Sequence, residues 1–315
     1  MARSILLTGA AGFIGSHTAQ ALLARGDRVV GVDAFDFGYE PSLKEANAAA
    51  LTAQPGFSLA RGDIRDRELL TRLMLDHGVD SVVHMAARAG VRTSLEDPAS
   101  YASVNVEGTL QVLEAMRAAG VERHIFASSS SVYGARTDGP FQETDRVDRP
   151  ESPYAATKRA CELLCGTWHE LYGLQTTCLR FFTVYGPRQR PEMAIRLFAE
   201  RIASGLPITL FGDGSSRRDY TFVEDIVAGV VAAIDRPLGF TVVNVGNGQP
   251  VTLQELVDTL GDLIGRAPVC ERLPDQAGDV PLTWAAVDRA SALLGYAPKT
   301  SLRDGLAAFL AWLAA

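Results

Sequence analysis

The stretch "TGAAGFIG", residues 8–15, follows the apolar run "SILL" and precedes a helical stretch. Its glycines have the spacing at which a chain turns tightly, approaches a pyrophosphate and packs a helix against a strand. They are Gly9, Gly12 and Gly15, with Phe13 and Ile14 between the last two. Free N–H groups at the start of the following helix favour a phosphate charge. The pattern predicts that these five residues form a dinucleotide site.

A carboxylate lies at the expected distance from this turn. Asp33 comes eighteen residues after Gly15 and ends a second apolar run, in "GVDAFD". A carboxylate at that strand end can accept hydrogen bonds from both ribose hydroxyls of an adenosine. Because no arginine directly follows Asp33, the sequence favours NAD over NADP as the cofactor.

The rest of the chain continues the strand and helix alternation. Short β-branched runs alternate with helical stretches through the first 245 residues, and turn-rich pieces become common after residue 184. This pattern predicts an α/β fold of the Rossmann type, a doubly wound parallel sheet with a smaller, discontinuous C-terminal lobe that binds substrate. The predicted NAD-binding domain covers residues 1–183, with 219–247 returning to it, and the predicted substrate lobe covers 184–218 and 248–315.

Composition narrows the class of protein. The chain has 315 residues, 47% of them apolar, which is enough for a large core. Its apolar runs are much shorter than the roughly 20 residues that span a bilayer, so we expect no membrane segment and a cytoplasmic location. The net charge of −7 argues against a nucleic-acid partner. Four scattered cysteines and the absence of a metal-binding pattern predict neither a disulfide framework nor a metal site.

A tyrosine and a lysine have the spacing of a catalytic pair. Tyr154 and Lys158 are four residues apart on a predicted helix, so both project from one face. A phenol with an ordinary pKa of about 10 needs a pKa about three units lower, or about 4 kcal/mol, to act as a base at neutral pH. An ammonium about 4–5 Å away supplies about that much at an effective dielectric near 20. We therefore expect Lys158 to lower the pKa of Tyr154.

Several motifs carry a family resemblance. The glycine turn, "GDIRD" at 62–66, "HMAA" at 84–87, "SVNVEGTL" at 103–110 and "YAATK" at 154–158 resemble those of the extended short-chain dehydrogenase/reductases that remodel nucleotide sugars. The resemblance covers essentially the whole chain. It implies that Asp63 and Ile64 flank the adenine of NAD, that Ala86 and Ala87 line the cofactor, and that Asn105 helps to hold it. It also implies that Ser129 is a third catalytic hydroxyl beside Tyr154 and Lys158.

The resemblance implies a reaction on a UDP-sugar. Tyr154 would take the proton from the C4 hydroxyl while hydride passes to tightly bound NAD. The resulting 4-ketone would turn over and receive the hydride on its other face. Related 4,6-dehydratases carry an Asp-Glu pair after the catalytic hydroxyl, and decarboxylating relatives carry a Glu in this stretch. Here "ASSSSVYG", residues 127–134, has serines at these places, which favours epimerisation because a serine hydroxyl transfers no proton at ordinary pH.

The sugar substituent is suggested by a second stretch. "RFFTVYGPRQRPEMA", from residue 180, and "ARAGVRTS", from residue 87, resemble stretches of the UDP-glucuronate 4-epimerases, a branch of this family. The resemblance implies that Ser130, Ser131, Thr183 and Arg190 bind a C6 carboxylate, with charge-assisted hydrogen bonds from the arginine. UDP-glucose stays open as an alternative substrate, since serine and threonine also tolerate a hydroxymethyl group. A non-catalytic NAD-binding regulator is a further alternative, which the intact catalytic residues disfavour.

The resemblance also places the nucleotide and a partner. It implies that the UDP moiety contacts five residues of the predicted substrate lobe: Thr209 and Phe211 beside the uracil, and Arg218, Gln276 and Asp279 at the diphosphate and ribose. Helices near 98–119 and 152–172 resemble those that pair in the dimers of this family. We therefore expect a homodimer.

Overall fold

A computed structural model of the chain describes residues 2–36, 41–274 and 278–314. Seven parallel strands form the central sheet, in the order β3-β2-β1-β4-β5-β6-β11. They are β1 (Ser4–Thr8), β2 (Arg28–Asp33), β3 (Phe57–Arg61), β4 (Ser81–His84), β5 (Arg123–Ser129), β6 (Gln175–Phe181) and β11 (Thr241–Val245). The predicted doubly wound parallel sheet is confirmed.

Six further strands form pairs outside this sheet. They are β7 (Thr183–Tyr185) with β10 (Tyr220–Phe222), β8 (Ile208–Phe211) with β13 (Cys270–Leu273), and β9 (Arg217–Arg218) with β12 (Val251–Thr252). The α-helices of the described residues are α1 (Phe13–Ala24), α2 (Pro41–Thr52), α3 (Arg67–Asp76), α4 (Val91–Glu96), α5 (Pro98–Tyr101), α6 (Gly108–Ala119), α7 (Pro153–Tyr172), α8 (Ala194–Ala203), α9 (Val223–Asp235), α10 (Leu253–Ile264), α11 (Asp288–Leu294) and α12 (Leu302–Leu313). A π-helical segment covers Ala102–Glu107 and a 3₁₀ turn covers Ser130–Tyr133.

The first strand shows why the sheet is covered on both faces. All five residues of β1 are buried, and successive side chains of a strand point to opposite faces. Ile5 and Leu7 accordingly pack in one apolar cluster, with α1, α9 and α11, whereas Leu6 packs in a second, with α3, α6 and α7. A strand buried on both faces can be apolar at successive positions, which explains the continuous run of Ile5, Leu6 and Leu7.

A third apolar cluster lies apart from the sheet. It joins α8, α10 and α12 with β8 and β10, and its fully buried members include Leu256, Leu306 and Phe309. We propose that α8, α10, α12 and β8 build most of the substrate lobe, while the segment 219–247 returns to the NAD-binding domain and adds β11 to the central sheet. Within the described residues, no helix combines the length and the apolar character needed to cross a bilayer.

Two histidines are buried in the sheet. His84 is hydrogen-bonded to Thr8 Oγ1 at 2.7 Å and to Thr109 Oγ1 at 3.1 Å. The His124 ring lies 6.1 Å from the His84 ring, and its Nε2 has no hydrogen-bond partner among the described residues. Burial lowers the pKa of His124 to about 3 and holds the pKa of His84 well below its usual value. Both rings are therefore neutral at physiological pH.

We predict that acid destabilises the fold through these rings. Below about pH 6.5 both histidines bind a proton in the unfolded chain but stay neutral in the folded protein. The free energy of unfolding should therefore fall as the pH drops from about 6.5 to 5. The slope is up to about 1.4 kcal/mol per pH unit for each ring. Urea unfolding of a His124→Gln variant should show a shallower pH dependence than the parent. An identical dependence in both proteins would contradict this role of His124.

Candidate active site

A cavity of about 880 Å³ opens at the carboxyl edge of the sheet. Its walls include residues that end or directly follow β1, β2, β4, β5 and β6. The carboxyl ends of parallel strands meet at one edge, which is where open α/β sheets bind ligands. The cavity therefore brings together side chains that are far apart in the sequence.

The glycine turn is shaped to bring a ligand close to the backbone. Gly9 has a φ of +72°, and a Cβ at this position would lie 2.8 Å from the backbone nitrogen of Ala86. Gly12 provides no side chain to cap α1, which leaves the N–H groups of the first turn available to an anion. All five residues predicted for this turn line the cavity. This geometry fits the diphosphate of a dinucleotide.

Asp33 is held at the next strand end by three donors. Its carboxylate accepts hydrogen bonds from the backbone nitrogens of Ala11 and Phe35 and from Lys44 Nζ, each at 3.0 Å. Asp33 and Lys44 both line the cavity. Sequence reasoning missed Lys44, and its one signal was that it is one of only three lysines in an arginine-rich chain. The carboxylate is thereby fixed where an adenosine ribose would lie.

The other predicted cofactor residues divide into two groups. Asp63, Ile64, Ala86 and Ala87 line the cavity. The guanidinium of Arg65 lowers the pKa of Asp63. Asn105 is not among the lining residues. Its side chain exchanges hydrogen bonds with the backbone of Arg88 and donates to Thr157 Oγ1 at 3.0 Å. We propose that Asn105 supports the cofactor indirectly, by fixing the cavity wall and α7.

The predicted catalytic residues come from two adjacent elements. Ser152 caps α7 by accepting a hydrogen bond from the backbone nitrogen of Ala155 at 3.2 Å. Tyr154 and Lys158 then lie one turn apart in α7. Ser129 ends β5, and all three side chains line the cavity. Lys158 Nζ donates to the carbonyl oxygen of Ala127 in β5 at 2.7 Å, which ties the helix to the strand.

The pKa of Tyr154 is shifted in the direction opposite to the one expected from the sequence. Burial raises this pKa, while the hydroxyl of Ser129 and the guanidinium of Arg190 oppose the rise. Burial also lowers the pKa of Lys158. The expected lowering of the Tyr154 pKa by Lys158 is therefore wrong for the protein alone, because desolvation of the phenol dominates. Spacing along a helix predicted which groups are close, but it could not show how deeply they are buried.

The residues predicted to bind a carboxylate all line the same cavity: Ser130, Ser131, Thr183 and Arg190. Ser131 Oγ accepts a hydrogen bond from Ser129 Oγ at 3.1 Å. The guanidinium of Arg190 donates to the carbonyl oxygen of Ala89 at 3.2 Å and forms an ion pair with Glu192 at 3.1 Å. The ion pair shows that the guanidinium can reach a carboxylate. Sequence reasoning missed Glu192, although it lies only two residues beyond Arg190.

A further pair of residues escaped the sequence analysis. Tyr101 lies edge-on to Tyr154, with ring centres 6.3 Å apart, and donates a hydrogen bond to the carbonyl oxygen of Ala89 at 3.1 Å. The Arg88 guanidinium lies over the Tyr101 ring and pairs with Asp97 at 2.8 Å. Both Tyr101 and Arg88 line the cavity. The stretch from residue 87 signalled this wall only through its family resemblance.

The predicted nucleotide residues do not all lie at the cavity. Arg218 and Asp279 line it. Thr209 and Phe211 lie on β8, outside the lining, although Arg92 packs over the Phe211 ring and pairs with Asp279 at 3.0 Å. Gln276 falls outside the described residues. Of the four predicted residues that the structure describes, two therefore line the cavity.

Known proteins are similar to this chain over nearly its whole length. Residues 5–246 match the NAD dependent epimerase/dehydratase family. A UDP-glucuronate 4-epimerase of Thermodesulfobacterium geofontis is 41% identical over 308 residues, which cover 98% of this chain and 95% of that protein.

Solved structures share the fold over the whole chain. The UDP-glucuronic acid 4-epimerase of Bacillus cereus, solved with UDP-glucuronic acid and NAD, has a TM-score of 0.94 and 38% identity, over 99% of both chains. The UDP-glucose 4-epimerase of Thermotoga maritima, solved with UDP-glucose, has a TM-score of 0.90 and 33% identity, over 99% of this chain and 98% of that one.

Proposed function

The chain belongs to the NAD dependent epimerase/dehydratase family, and we propose that it interconverts UDP-glucuronate and UDP-galacturonate by epimerisation at C4, with NAD as its cofactor. The observation that carries the proposal is one cavity in which Ser130, Ser131, Thr183 and Arg190 lie beside the catalytic residues. The similarity to UDP-glucuronate 4-epimerases over nearly the full length supports it.

Tyr154 is the proposed acid and base. It takes the proton from the C4 hydroxyl and returns it after the 4-ketone has turned over, so the proton balance closes within one cycle. Bound NAD supplies the acceptor and donor of the hydride. Burial raises the pKa of Tyr154, so the phenolate needs nearby positive charge, and the guanidinium of Arg190 opposes the rise. Ser129 donates a hydrogen bond to the reacting oxygen.

The serines and Arg190 are proposed to hold the substrate carboxylate. Oxidation of a uronic acid at C4 makes a β-keto acid, which loses CO₂ readily when the carboxylate stands perpendicular to the ketone. Hydrogen-bond donors that hold the carboxylate out of this perpendicular orientation therefore suppress the loss of CO₂. Ser130 and Ser131 suit this task because they bind an anion without offering an acid or base at C5 and C6.

We predict that Arg190→Ala separates the two candidate substrates. Loss of a hydrogen bond to a charged group should lower kcat/KM for UDP-glucuronate by about 10- to 100-fold. The value for UDP-glucose should fall by a clearly smaller factor, because its neutral hydroxymethyl group loses no ion pair and only the effect of Arg190 on the pKa of Tyr154 is removed. C4 epimers formed without added NAD can be followed by NMR. Turnover of UDP-glucose alone would contradict the proposed substrate, and equal losses on both sugars would contradict the role of Arg190.

UDP-glucose is the second candidate substrate. Three of the four proposed carboxylate ligands are neutral hydroxyls, and Arg190 already has a carboxylate partner in Glu192. Such a site can also accommodate a hydroxymethyl group. The similarity to the Thermotoga UDP-glucose 4-epimerase is consistent with this alternative. A purely regulatory NAD-binding role is disfavoured, since Ser129, Tyr154 and Lys158 all line the cavity.

We predict that Tyr154→Phe abolishes most of the turnover. Removal of the hydroxyl eliminates general acid–base catalysis, which typically contributes about 10²–10⁴-fold. The variant should keep its fold and its NAD, measured by circular dichroism and by the absorbance of released cofactor. Tyr172→Phe, at the exposed end of the same helix, is the matched control and should behave as the parent. Epimerisation by Tyr154→Phe at the parental rate would rule out the proposed base.

We also propose that the protein is a homodimer that pairs through α6 and α7. Cys161, Leu164 and Trp168, which form one stripe of α7, pack on the chain's own core. The exposed leucines of α7 are instead Leu163 and Leu171, at 56% and 63% exposure. These side chains would be buried in a two-fold interface.

We predict that Leu163→Glu combined with Leu171→Glu converts the dimer to a monomer. Two carboxylates in an apolar interface lose hydration without gaining partners, so dissociation should be favoured. Sedimentation velocity at micromolar concentration measures the change. Leu75→Glu, at another exposed leucine on α3, is the control and should leave the dimer intact. A parent protein that sediments as a monomer would contradict the proposed assembly.

A further inference from the structure

The segment 186–193, here called the arginine loop, links β7 to α8 and carries Arg190 into the cavity. The start of this loop rests on α1, the helix that follows the glycine turn. The backbone carbonyl of Pro187 accepts a hydrogen bond from His17 Nε2 at 2.9 Å. Since a carbonyl only accepts, this bond requires the proton on Nε2 of His17. The arginine loop and the proposed cofactor site therefore share one helix.

Arg188 makes the other contacts between the arginine loop and α1. Its guanidinium donates to Ser16 Oγ at 3.1 Å and to Gln20 Oε1 at 2.7 Å. Both acceptors are neutral and lie one turn apart in α1, so the fork of the guanidinium spans that turn. Burial lowers the pKa of Arg188, which shows that the charge is partly desolvated. Desolvating a cation costs free energy, and neutral acceptors offset only part of that cost. The contacts of Arg188 therefore indicate that the arginine loop has to be held accurately.

The backbone at Arg188 is also unusual. Its φ is +65°, in the left-handed region that favours glycine. A bulky residue in this conformation marks a constraint imposed by its surroundings. If only the turn mattered, glycine would form it with less strain. The side chain of Arg188 is therefore the feature that needs an explanation.

The far side of the arginine loop is fixed as well. Arg196, on α8, donates to the carbonyl oxygen of Gln189 at 3.1 Å, and Gln189 is fully buried. Arg190 donates to the carbonyl oxygen of Ala89 across the cavity. Only Gln189 separates Arg188, which contacts α1, from Arg190 in the cavity. A displacement of the Arg188 backbone would therefore reach Arg190 through one buried residue, Gln189.

We propose that Arg188 is a positioning residue that clamps the arginine loop to α1 and so holds Arg190 where the C6 carboxylate binds. Discrimination between acidic and neutral sugars then depends on a contact outside the cavity, since Arg188 does not line it. The inference rests on the proposed function, in which Arg190 binds the carboxylate.

The test compares Arg188→Gly with the parent on UDP-glucuronate and UDP-glucose. Glycine keeps or relaxes the turn but removes both hydrogen bonds to α1. A displaced Arg190 should lower kcat/KM for UDP-glucuronate by about 10- to 100-fold, mainly through KM. The value for UDP-glucose, the melting temperature and the retention of NAD should stay close to those of the parent. Arg188→Lys keeps the charge but has a single donor nitrogen, so it should recover part of the loss.

Two further variants separate the clamp from a general effect on the arginine loop. Gln20→Ala removes one acceptor on α1 without touching the loop, and it should lower the preference for UDP-glucuronate in the same direction but less. Arg201→Gln is the matched control, because Arg201 on α8 donates only to the carbonyl of Pro207 in the contacts described. It should keep the parental preference.

An unchanged substrate preference in Arg188→Gly would overturn the clamp and leave the proposed function standing. Equal losses on both sugars, or loss of NAD together with activity, would also overturn the clamp, because Arg188 would then support the fold or the position of α1. A parent protein that turns over only UDP-glucose would overturn the proposed function and this role of Arg188 with it.

Discussion

The close contact between Gly9 and Gly15 sets the position of α1, on which much of the rest depends. A Cβ at Gly15 would lie 2.0 Å from the carbonyl oxygen of Gly9, so no other residue fits without moving the turn. The helix can therefore begin after a turn of only four residues, 9–12, and present its first-turn N–H groups at the carboxyl edge of the sheet. The same helix presents Ser16, His17 and Gln20 to the arginine loop. One backbone contact thus positions both the proposed diphosphate site and the support of the proposed carboxylate ligand.

The second constraint fixes α7 against the sheet. Glu162, four residues beyond Lys158, is fully buried and accepts hydrogen bonds from Ser128 on β5 at 2.6 Å and from Arg180 on β6 at 2.8 and 2.9 Å. Removing one partner of such a buried pair typically costs about 3–5 kcal/mol, because a charge is left uncompensated. Together with the bond from Lys158 to Ala127, this network fixes the distance between the helix that carries Tyr154 and the strand that carries Ser129. The geometry of the proposed catalytic centre therefore depends on two charges, those of Glu162 and Arg180, that lie outside the cavity lining.

The sequence predicted the features that depend on local spacing. The glycine turn, Asp33 and the pair of Tyr154 and Lys158 each lie within one strand–turn–helix unit, so their relation follows from the periods of helix and strand. Features that depend on contacts across the fold were missed. Lys44 reaches Asp33 from another element, and Tyr101 meets Tyr154 only after the π-helical segment and α7 have packed. The sign of the pKa change at Tyr154 was missed for the same reason, since desolvation is a property of the whole packed site.

If Arg190 binds the C6 carboxylate as proposed, the charge balance around it accounts for the selection of an acidic sugar by an acidic protein. The overall charge of −7 repels the substrate weakly at long range, so selection has to be local. Arg190 already pairs with Glu192, whose side chain is 49% exposed. A substrate carboxylate that replaces Glu192 returns it to water at little cost, because exposed ion pairs contribute little. A neutral sugar offers nothing to exchange and leaves the pair intact. Selectivity is therefore the difference between two modest free energies, that of the Arg190–substrate pair and that of the Arg190–Glu192 pair. Such a difference is sensitive to small displacements of the guanidinium.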